Sequence, residues 1–515
     1  MVLELMTPVE MAKADRLAIE AGPFDGDGLM RNAGAAVAAE ILARYPGAAK
    51  VLVLAGPGNN GGDGYVVAAR LREAGIAVHV YGDAEPPEDS DAARARAAWG
   101  RDLRPLSDFQ PLPADLVVDA LFGAGLARAV TGEAASAIER ANGSGATIVA
   151  VDLPSGVSGL TGKPLGAAIR ANLTVTFFRL KPGHLLEPGR GLCGETVLVD
   201  IGIPATVLSA IGASTFRNEP GLWLGDFPWP DRNTHKYVRG HAGVFSGGAT
   251  ATGAARLSAL AAARAGAGAV TVLSPGSALQ VNATHLTSIM LHRADTADDA
   301  VAFMRERRLA AAVIGPGFGI GDRCAEFVRA LADPTRSGAL HLVLDADALT
   351  SFEAAPQALF EALERSMAAG QATAVLTPHE GEFRRLFPDL ANEGTLSKLE
   401  RARKAARIAH AVVVLKGPDT VIADPSGRAA INANGTPFLA TAGSGDVLAG
   451  ITAGLLAQGM PVFEAACAAT WLHAEAGRRS GPGLIAEDLP SLLPPVLAEL
   501  DRRAHERPLN GNRPG

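Results

Sequence analysis

Two α/β domains in tandem, each a mostly parallel sheet with helices on both faces, are predicted by three observations. Short apolar runs alternate with helix-length segments. Glycine-rich stretches fall where an apolar run gives way to a helix. The alternation comes in two blocks, divided by a change of texture over residues 216–233. Parallel strands read as short, continuous apolar runs because crossover helices bury both faces of the sheet. A chain of 515 residues also exceeds what one hydrophobic core holds, since cores stop growing at about 250–300 residues.

The first block, expected over residues 1–213, opens with helices over 8–21 and 29–45. An apolar run at 51–55 leads through a glycine-rich turn into a helix over 65–74 and a strand over 77–81. Runs at 116–119, 147–152 and 173–178 supply further buried strands. Trp, Pro, Asp and Asn without periodicity over 216–233 read as a linker. The second block, expected over 222–503, repeats the alternation from His241, with a helix over 254–266. Its strands are expected at 269–273, 311–314, 342–344, 374–376 and 411–415. The most apolar stretch, 447–463, holds several Gly, a Gln and a Pro, and reads as a buried helix rather than a membrane span. The polar tail after Arg507 is expected to be disordered, and no internal repeat relates the two blocks.

A net charge of −7 offers no basic footprint, which counts against nucleic acid and anionic membrane surfaces as partners. Cys193, Cys324 and Cys467 stand far apart with no metal spacing, so buried thiols in a reducing compartment are expected. Glu4, Glu10 and Asp15 interrupt the apolar residues of the first 22 positions, unlike a signal peptide, and a cytoplasmic protein is expected.

Gly56-Pro57-Gly58-Asn59-Asn60-Gly61-Gly62-Asp63-Gly64 joins a strand to a helix, the place where open parallel sheets bind ligands. Glycines let backbone approach a phosphate, and a helix start favours negative charge; a purely structural tight turn is the alternative. Neither the P-loop lysine nor GxGxxG spacing is present, which removes an ordinary P-loop and a standard dehydrogenase. Without that fingerprint Asp83, placed where a ribose-binding acid would sit, gains no role. Two later strands end in Asp119-Ala120-Leu121-Phe122-Gly123-Ala124-Gly125-Leu126 and in Val151-Asp152-Leu153-Pro154-Ser155-Gly156-Val157. One Asp at a strand end is often a helix cap; two Asp and a Ser at corresponding ends favour a site.

In this order, GPGNNGGDG, DALFGAGL and VDLPSGV resemble the NAD(P)HX epimerase family. The resemblance implies a Rossmann-like doubly wound sheet. On it, Asn59, Asn60, Gly61, Gly62 and Asp63, with Gly123, Ala124, Gly125, Leu126, Ala127, Arg128 and Ala129, would hold the hydrated dinucleotide. It also implies that Asn60, Asp119 and Ser155 bind a potassium ion through oxygen atoms, and that Asp152 contacts the substrate as general acid/base. The C6 hydroxyl of the damaged ring belongs to a carbinolamine, so one carboxyl that shuttles a proton lets it leave and return on the other face.

In the second block, Thr441-Ala442-Gly443-Ser444-Gly445-Asp446 opens an apolar helix. Consecutive N–H groups at such a start make an anion hole, and the Asp can take a proton from an attacking hydroxyl; a plain helix-start charge is the alternative. Lys416-Gly417-Pro418-Asp419-Thr420, Gly315-Pro316-Gly317-Phe318-Gly319 and Thr377-Pro378-His379-Glu380-Gly381-Glu382 each follow an apolar run. The set resembles the ribokinase-like superfamily and, within it, the ADP/ATP-dependent NAD(P)HX dehydratases. Where kinases of that superfamily carry Asn in an NxxE loop, this chain has His379 with Glu382 retained, which agrees with the dehydratase branch.

That resemblance implies that Ala254, Gly317, His379 and Asp446 contact the hydrated substrate, while Lys416, Gly417, Pro418, Asp419, Thr420 and Gly445 contact the nucleotide. ADP, accompanied by Mg2+, would phosphorylate the C6 hydroxyl with Asp446 as base, and elimination of phosphate would restore the dihydronicotinamide. A homo-oligomer acting on NADHX and NADPHX is implied, its epimerase supplying a stereospecific dehydratase. The alternatives are a carbohydrate or hydroxymethyl kinase fused to a dinucleotide-binding domain, and a non-catalytic NAD(P)H sensor. The His379 departure and the NNGGD block count against the first; a sensor has no use for both Asp152 and Asp446.

Overall fold

Thr7 caps the helix Pro8–Ala21 by a reciprocal pair of bonds: its Oγ1 accepts from the Glu10 N–H, and Glu10 Oε2 accepts from the Thr7 N–H at 2.7 Å. Pro8 at the first helical position wastes no donor there. The computed structural model describes residues 2–231, 234–236, 238–337, 340–367 and 373–505. The chain divides into two units, Val2–Thr215 and Phe216 onward.

The first unit holds a six-stranded parallel sheet in the order Ala77–Tyr81, Lys50–Ala55, Leu116–Ala120, Thr147–Val151, Leu173–Phe177, Glu195–Val199. The chain changes direction across the sheet between Lys50–Ala55 and Leu116–Ala120, which opens a crevice at their carboxyl ends. Ala55 pairs with Ala120, so the glycine-rich segment and the loop from Leu121 leave the sheet side by side. The helix that follows is longer than its composition suggests: it spans Asn59–Glu73, not 65–74. Gly61, Gly62 and Gly64 therefore lie inside its first turns. Low propensity hides this start from the sequence, but close packing explains it. A Cβ on Gly61 would lie 1.8 Å from Gly56 O, and one on Gly64 2.7 Å from Ala120 Cβ.

The stretch read as a linker is structured instead. Trp223, within the short helix Pro220–Trp223, is fully buried in the second unit's core and packs near Trp471 and Phe227. Its Nε1 donates to Asn218 Oδ1, and Asn218 donates in turn to the Cys467 carbonyl at 2.8 Å. An aperiodic sequence carries no helix or strand signal, yet its apolar rings still find the core. Trp223→Ala is expected to lower stability of the second unit by about 3–5 kcal/mol, read as an earlier midpoint in urea unfolding; an unchanged midpoint would refute the anchor. Residues 232 and 233 of that stretch, and the tail after Arg507, lie outside the described residues.

In the second unit the strands run Ala429–Ile431, Val421–Ala423, Val412–Leu415, Ala374–Leu376, His341–Leu344, Ala311–Ile314, His241–Phe245, Ala269–Ser274, Met290–Arg293. All are parallel from Val412–Leu415 onward; the first two extend the sheet as antiparallel strands. Ile314, Leu344 and Leu376 are register partners, so Gly315, Asp345 and Thr377 leave the sheet at one level. The 447–463 stretch is two helices, Ser444–Ala457 and Val462–Ser480, rather than one. Gly459 at φ 85° breaks the run before Pro461, and Gln458 Nε2 donates to the Ala265 and Gly454 carbonyls. Small residues bring Ser444–Ala457 unusually close to the helix Gly253–Arg264: a Cβ on Gly450 would sit 2.1 Å from Ser258 O. Among the described residues no helix is long and apolar enough to cross a membrane. All three cysteines are free and buried, and burial raises Cys193 to about 12 and Cys324 to about 11.

Candidate active sites

A cavity of about 700 Å³ opens at the crevice of the first sheet, a size suited to a small-molecule ligand. One stripe of the helix Pro8–Ala21 (Pro8, Met11, Asp15, Ile19) forms a wall, facing Asn59, Asn60 and Asp63, residues 123–128, Asp152 and Lys181. Of the residues expected to hold a dinucleotide, Gly61 and Gly62 are instead buried, serving the packing of the helix, and Ala129 is exposed and not among the lining residues. Asp83 accepts from the Leu106 N–H at 2.8 Å, tying the loop after Ala77–Tyr81 to the start of the short helix Leu106–Asp108.

Asp152 leaves its strand at φ 64°, a conformation that costs a residue with a Cβ about 1–3 kcal/mol. One carboxylate oxygen accepts from Lys181 Nζ at 2.5 Å and Thr176 Oγ1 at 3.0 Å; the other accepts from the Ala124 N–H at 3.1 Å. Burial pushes this carboxyl up, but the charge of Lys181 and the bonds it accepts outweigh burial and hold it at about 2. His184, kept neutral by burial at about 4, donates from Nε2 to the Asp152 carbonyl and accepts the Lys181 N–H on Nδ1, tying the two loops together. Burial, followed by the nearby Asp152, raises Asp63 well above the ordinary carboxyl range; burial, partly offset by Lys181, raises Asp15 to about 6. Sequence reasoning missed Lys181, Thr176, His184 and Asp15. The available signal was a Lys and a His three residues apart just after a buried strand.

Asp119 and Ser155 meet behind the cavity. Asp119 Oδ1 accepts from Ser155 Oγ at 2.6 Å and Oδ2 from the Ser155 N–H at 2.7 Å. Ser155 Oγ also accepts from the Phe122 N–H at 2.8 Å. Asn60 stands against the next residue, its Oδ1 3.1 Å from where a Gly123 Cβ would be. Both polar atoms of the Asn60 amide are buried without a partner. Burial raises Asp119 to about 6 despite the bonds from Ser155 and Leu121. A buried carboxylate with no countercharge among the described residues and an orphaned amide oxygen are what a hard monovalent cation would satisfy.

The second site gathers around the start of Ser444–Ala457. Ser258 Oγ donates to the Asp446 carbonyl at 2.7 Å. Among the described residues no hydrogen bond or ion pair engages the Asp446 carboxylate; burial, then repulsion from Asp345, raises it to about 6. Ser444 Oγ lies 3.0 Å from Nε2 of His473, which burial keeps neutral at about 4. Lys416 Nζ donates to Asp345 Oδ1 at 2.8 Å and stands 4.0 Å from Glu382. The loop beyond it closes on itself, Thr420 Oγ1 accepting from the Gly417 N–H and donating to the Gly417 carbonyl. Lys398 braces the loop from beneath by an ion pair of 2.6 Å to Asp419.

Gly317, at φ 63°, lies beside Ala254, 3.4 Å separating a built Cβ from the Ala254 Cβ. His379 caps the helix Glu380–Leu386, Nδ1 accepting from the Gly381 and Glu382 N–H groups, while the ring stays largely exposed with Nε2 3.4 Å from Glu382. Asp345, Glu382, His473 and Lys398 were not singled out as site residues from sequence. Asp345 lies in an apolar strand end with no motif around it.

Comparison with known proteins matches both units. A family model described as YjeF-related protein N-terminus matches residues 26–183, and one described as NAD(P)H-hydrate dehydratase matches residues 242–492. The bifunctional NAD(P)H-hydrate repair enzyme of Moorella thermoacetica is 36% identical, covering 96% of this chain and 97% of its own. That of Coxiella burnetii is 33% identical over 93% of this chain and 96% of its own. A solved structure of the ADP/ATP-dependent NAD(P)H-hydrate dehydratase from Bacillus subtilis, co-crystallised with ATP and Mg2+, aligns at 26% identity with a TM-score of 0.45. The alignment covers 55% of this chain and 98% of that one. With two curated relatives above 30% identity along nearly their whole length, the chain belongs to the bifunctional NAD(P)H-hydrate repair enzyme family.

Proposed function

We propose that the cavity of the first unit epimerises hydrated NADH and NADPH, and that the Asp446 site of the second unit dehydrates one epimer using ADP. The observation that supports this best is the Asp446 carboxylate, unpartnered among the described residues, at a helix start where N–H groups can donate to phosphate. In the first site the C6–O bond breaks as the ring nitrogen's lone pair forms a C=N bond, and hydroxide leaves as water. Asp152 is ionised at neutral pH, so the Lys181 ammonium that it orients delivers that proton. The pair recovers it when water adds to the other face. In the second site Asp446 takes the proton of the C6 hydroxyl as it attacks the terminal phosphorus of ADP, whose bond to the bridging oxygen breaks to release AMP; phosphate then leaves C6 and a proton leaves C5 to water, forming the C5=C6 double bond. Lys416 and the loop to Thr420 are assigned to the nucleotide, and Ala254, Gly317 and His379 to the ring being repaired.

The purified protein, given both epimers, should restore reduced-nicotinamide absorbance with ADP and not without it. Without nucleotide it should only bring the epimers to equilibrium. Recovery that ignores ADP would overturn the assignment.

Potassium fits the first unit through Asn60, Asp119 and Ser155, whose oxygens and single charge suit a monovalent ion better than a transition metal. When bound it supplies the positive charge that the buried Asp119 lacks. Epimerisation should therefore rise with potassium at constant ionic strength, and Asp119→Asn should lose that response. Equal rates in potassium and in a bulky organic cation would remove the ion site.

A further inference from the structure

Asp345 is 2% exposed, one residue beyond the strand His341–Leu344. Its turn is held tightly: Ala346 adopts φ 49° and ψ −115°, and a Cβ on Gly315 would approach the Asp345 carbonyl to 1.8 Å. Non-glycine strain of this kind persists where surrounding structure enforces it, and it concentrates at functional sites. The side chain accepts from Lys416 Nζ at 2.8 Å. Both partners crowd the helix start, since a Cβ on Gly445 would lie 3.5 Å from Asp345 Oδ2 and 3.5 Å from Lys416 Nζ. The next residue is Asp446, whose carboxylate has no hydrogen bond or ion pair among the described residues.

We propose that Asp345 is a positioning residue for the dehydratase: it holds the Lys416 ammonium on its own carboxylate and so leaves Asp446 unpaired as the base. This rests on Asp446 being that base. Lys416 is a point charge on a flexible four-carbon stem. Without Asp345 its nearest carboxylates are Glu382, now 4.0 Å away, and Asp446. A salt bridge to Asp446 would occupy the lone pair that must take the hydroxyl proton. The groups facing Asp446 set the sign of the change. Asp345 and Asp347 repel its charge and Lys416 attracts it, while His473, on the adjoining helix, is neutral. Removing Asp345 deletes a repulsion and frees the attraction, so the base ionises at lower pH.

The test is the pH dependence of kcat for dehydration by the full chain with ADP. In wild type, activity should rise with pH through about 6. Asp345→Asn should move that acid limb down by about one pH unit or more, while lowering the plateau roughly 10- to 100-fold because the base is now tied up. Asp345→Glu, which keeps the carboxylate, should hold the limb near its wild-type position. In a Lys416→Met background Asp345→Asn should lose most of its effect on kcat, because the two act as a pair. Asp345→Ser serves if the amide variant unfolds in a thermal melt, with the same expected limb. A lowered plateau with the limb unmoved would make Asp345 merely structural and overturn the proposal. If Asp446→Asn itself dehydrates normally, the assignment of the base fails instead, and the two failures are told apart.

Discussion

Asp446→Asn is expected to abolish ADP-dependent dehydration while epimerisation continues at its wild-type rate. The amide keeps the size of the side chain, and Ser258 binds the main chain of this residue rather than its carboxyl, so the helix start stays in place. What disappears is proton acceptance. General-base assistance is worth about 10²–10⁴-fold, or roughly 3–5 kcal/mol of barrier. The pH profile carries a second signature. Burial and Asp345 raise this carboxyl to about 6, so wild-type dehydration should fall as pH drops through that value, the base being lost to protonation. Dehydration by the variant at a tenth of the wild-type rate or better would remove Asp446 from the base role. Loss of both activities together would point to unfolding.

Asp152→Ala is expected to produce the mirror image, a protein that consumes one epimer and leaves the other to drain at its uncatalysed rate. The carboxylate holds Lys181, Thr176 and the Ala124 N–H at once, so its removal both frees the ammonium and loosens the loop that lines the cavity. The expected loss in epimerisation is again about 10²–10⁴-fold. With mixed epimers and ADP the progress curve should turn biphasic, a fast phase for the matching epimer and a slow one for the other. Wild type should run in one sweep provided epimerisation is not limiting. Lys181→Met should show the same biphasic curve if the ammonium carries the proton. A single fast phase from Asp152→Ala would make that residue structural.

Much of the architecture was legible in the sequence because strand and helix burial writes itself into local pattern. The runs at 311–314 and 374–376 coincide with strands, and the 8–21 helix begins at its Thr7 cap. The pattern failed where residues follow close packing instead of propensity. Gly61, Gly62 and Gly64 look like a turn yet sit in a helix, since a side chain there would strike Gly56, Met30 or Ala120. Trp223 looks like part of a linker yet is a core anchor. The antiparallel strands Val421–Ala423 and Ala429–Ile431 are too short for an alternating signal to accumulate.

The chemistry divides in the same way. Asp152 and Asp446 were recognisable because each sits in a motif at a strand end or helix start, where local chain geometry dictates what a carboxylate can face. Their protonation states were not recognisable, because those depend on groups far away in the chain. Lys181 holds Asp152 at about 2, and Asp345 helps hold Asp446 at about 6. The sequence by itself determined the fold class, the family and the two acidic residues, all of which are written in short contiguous segments. Only the tertiary structure decided which of those acids is clamped by an ammonium and which is free, because electrostatic energy follows distance in space and burial, and Asp345 and Lys416 become neighbours only when the sheet sets their strands in register.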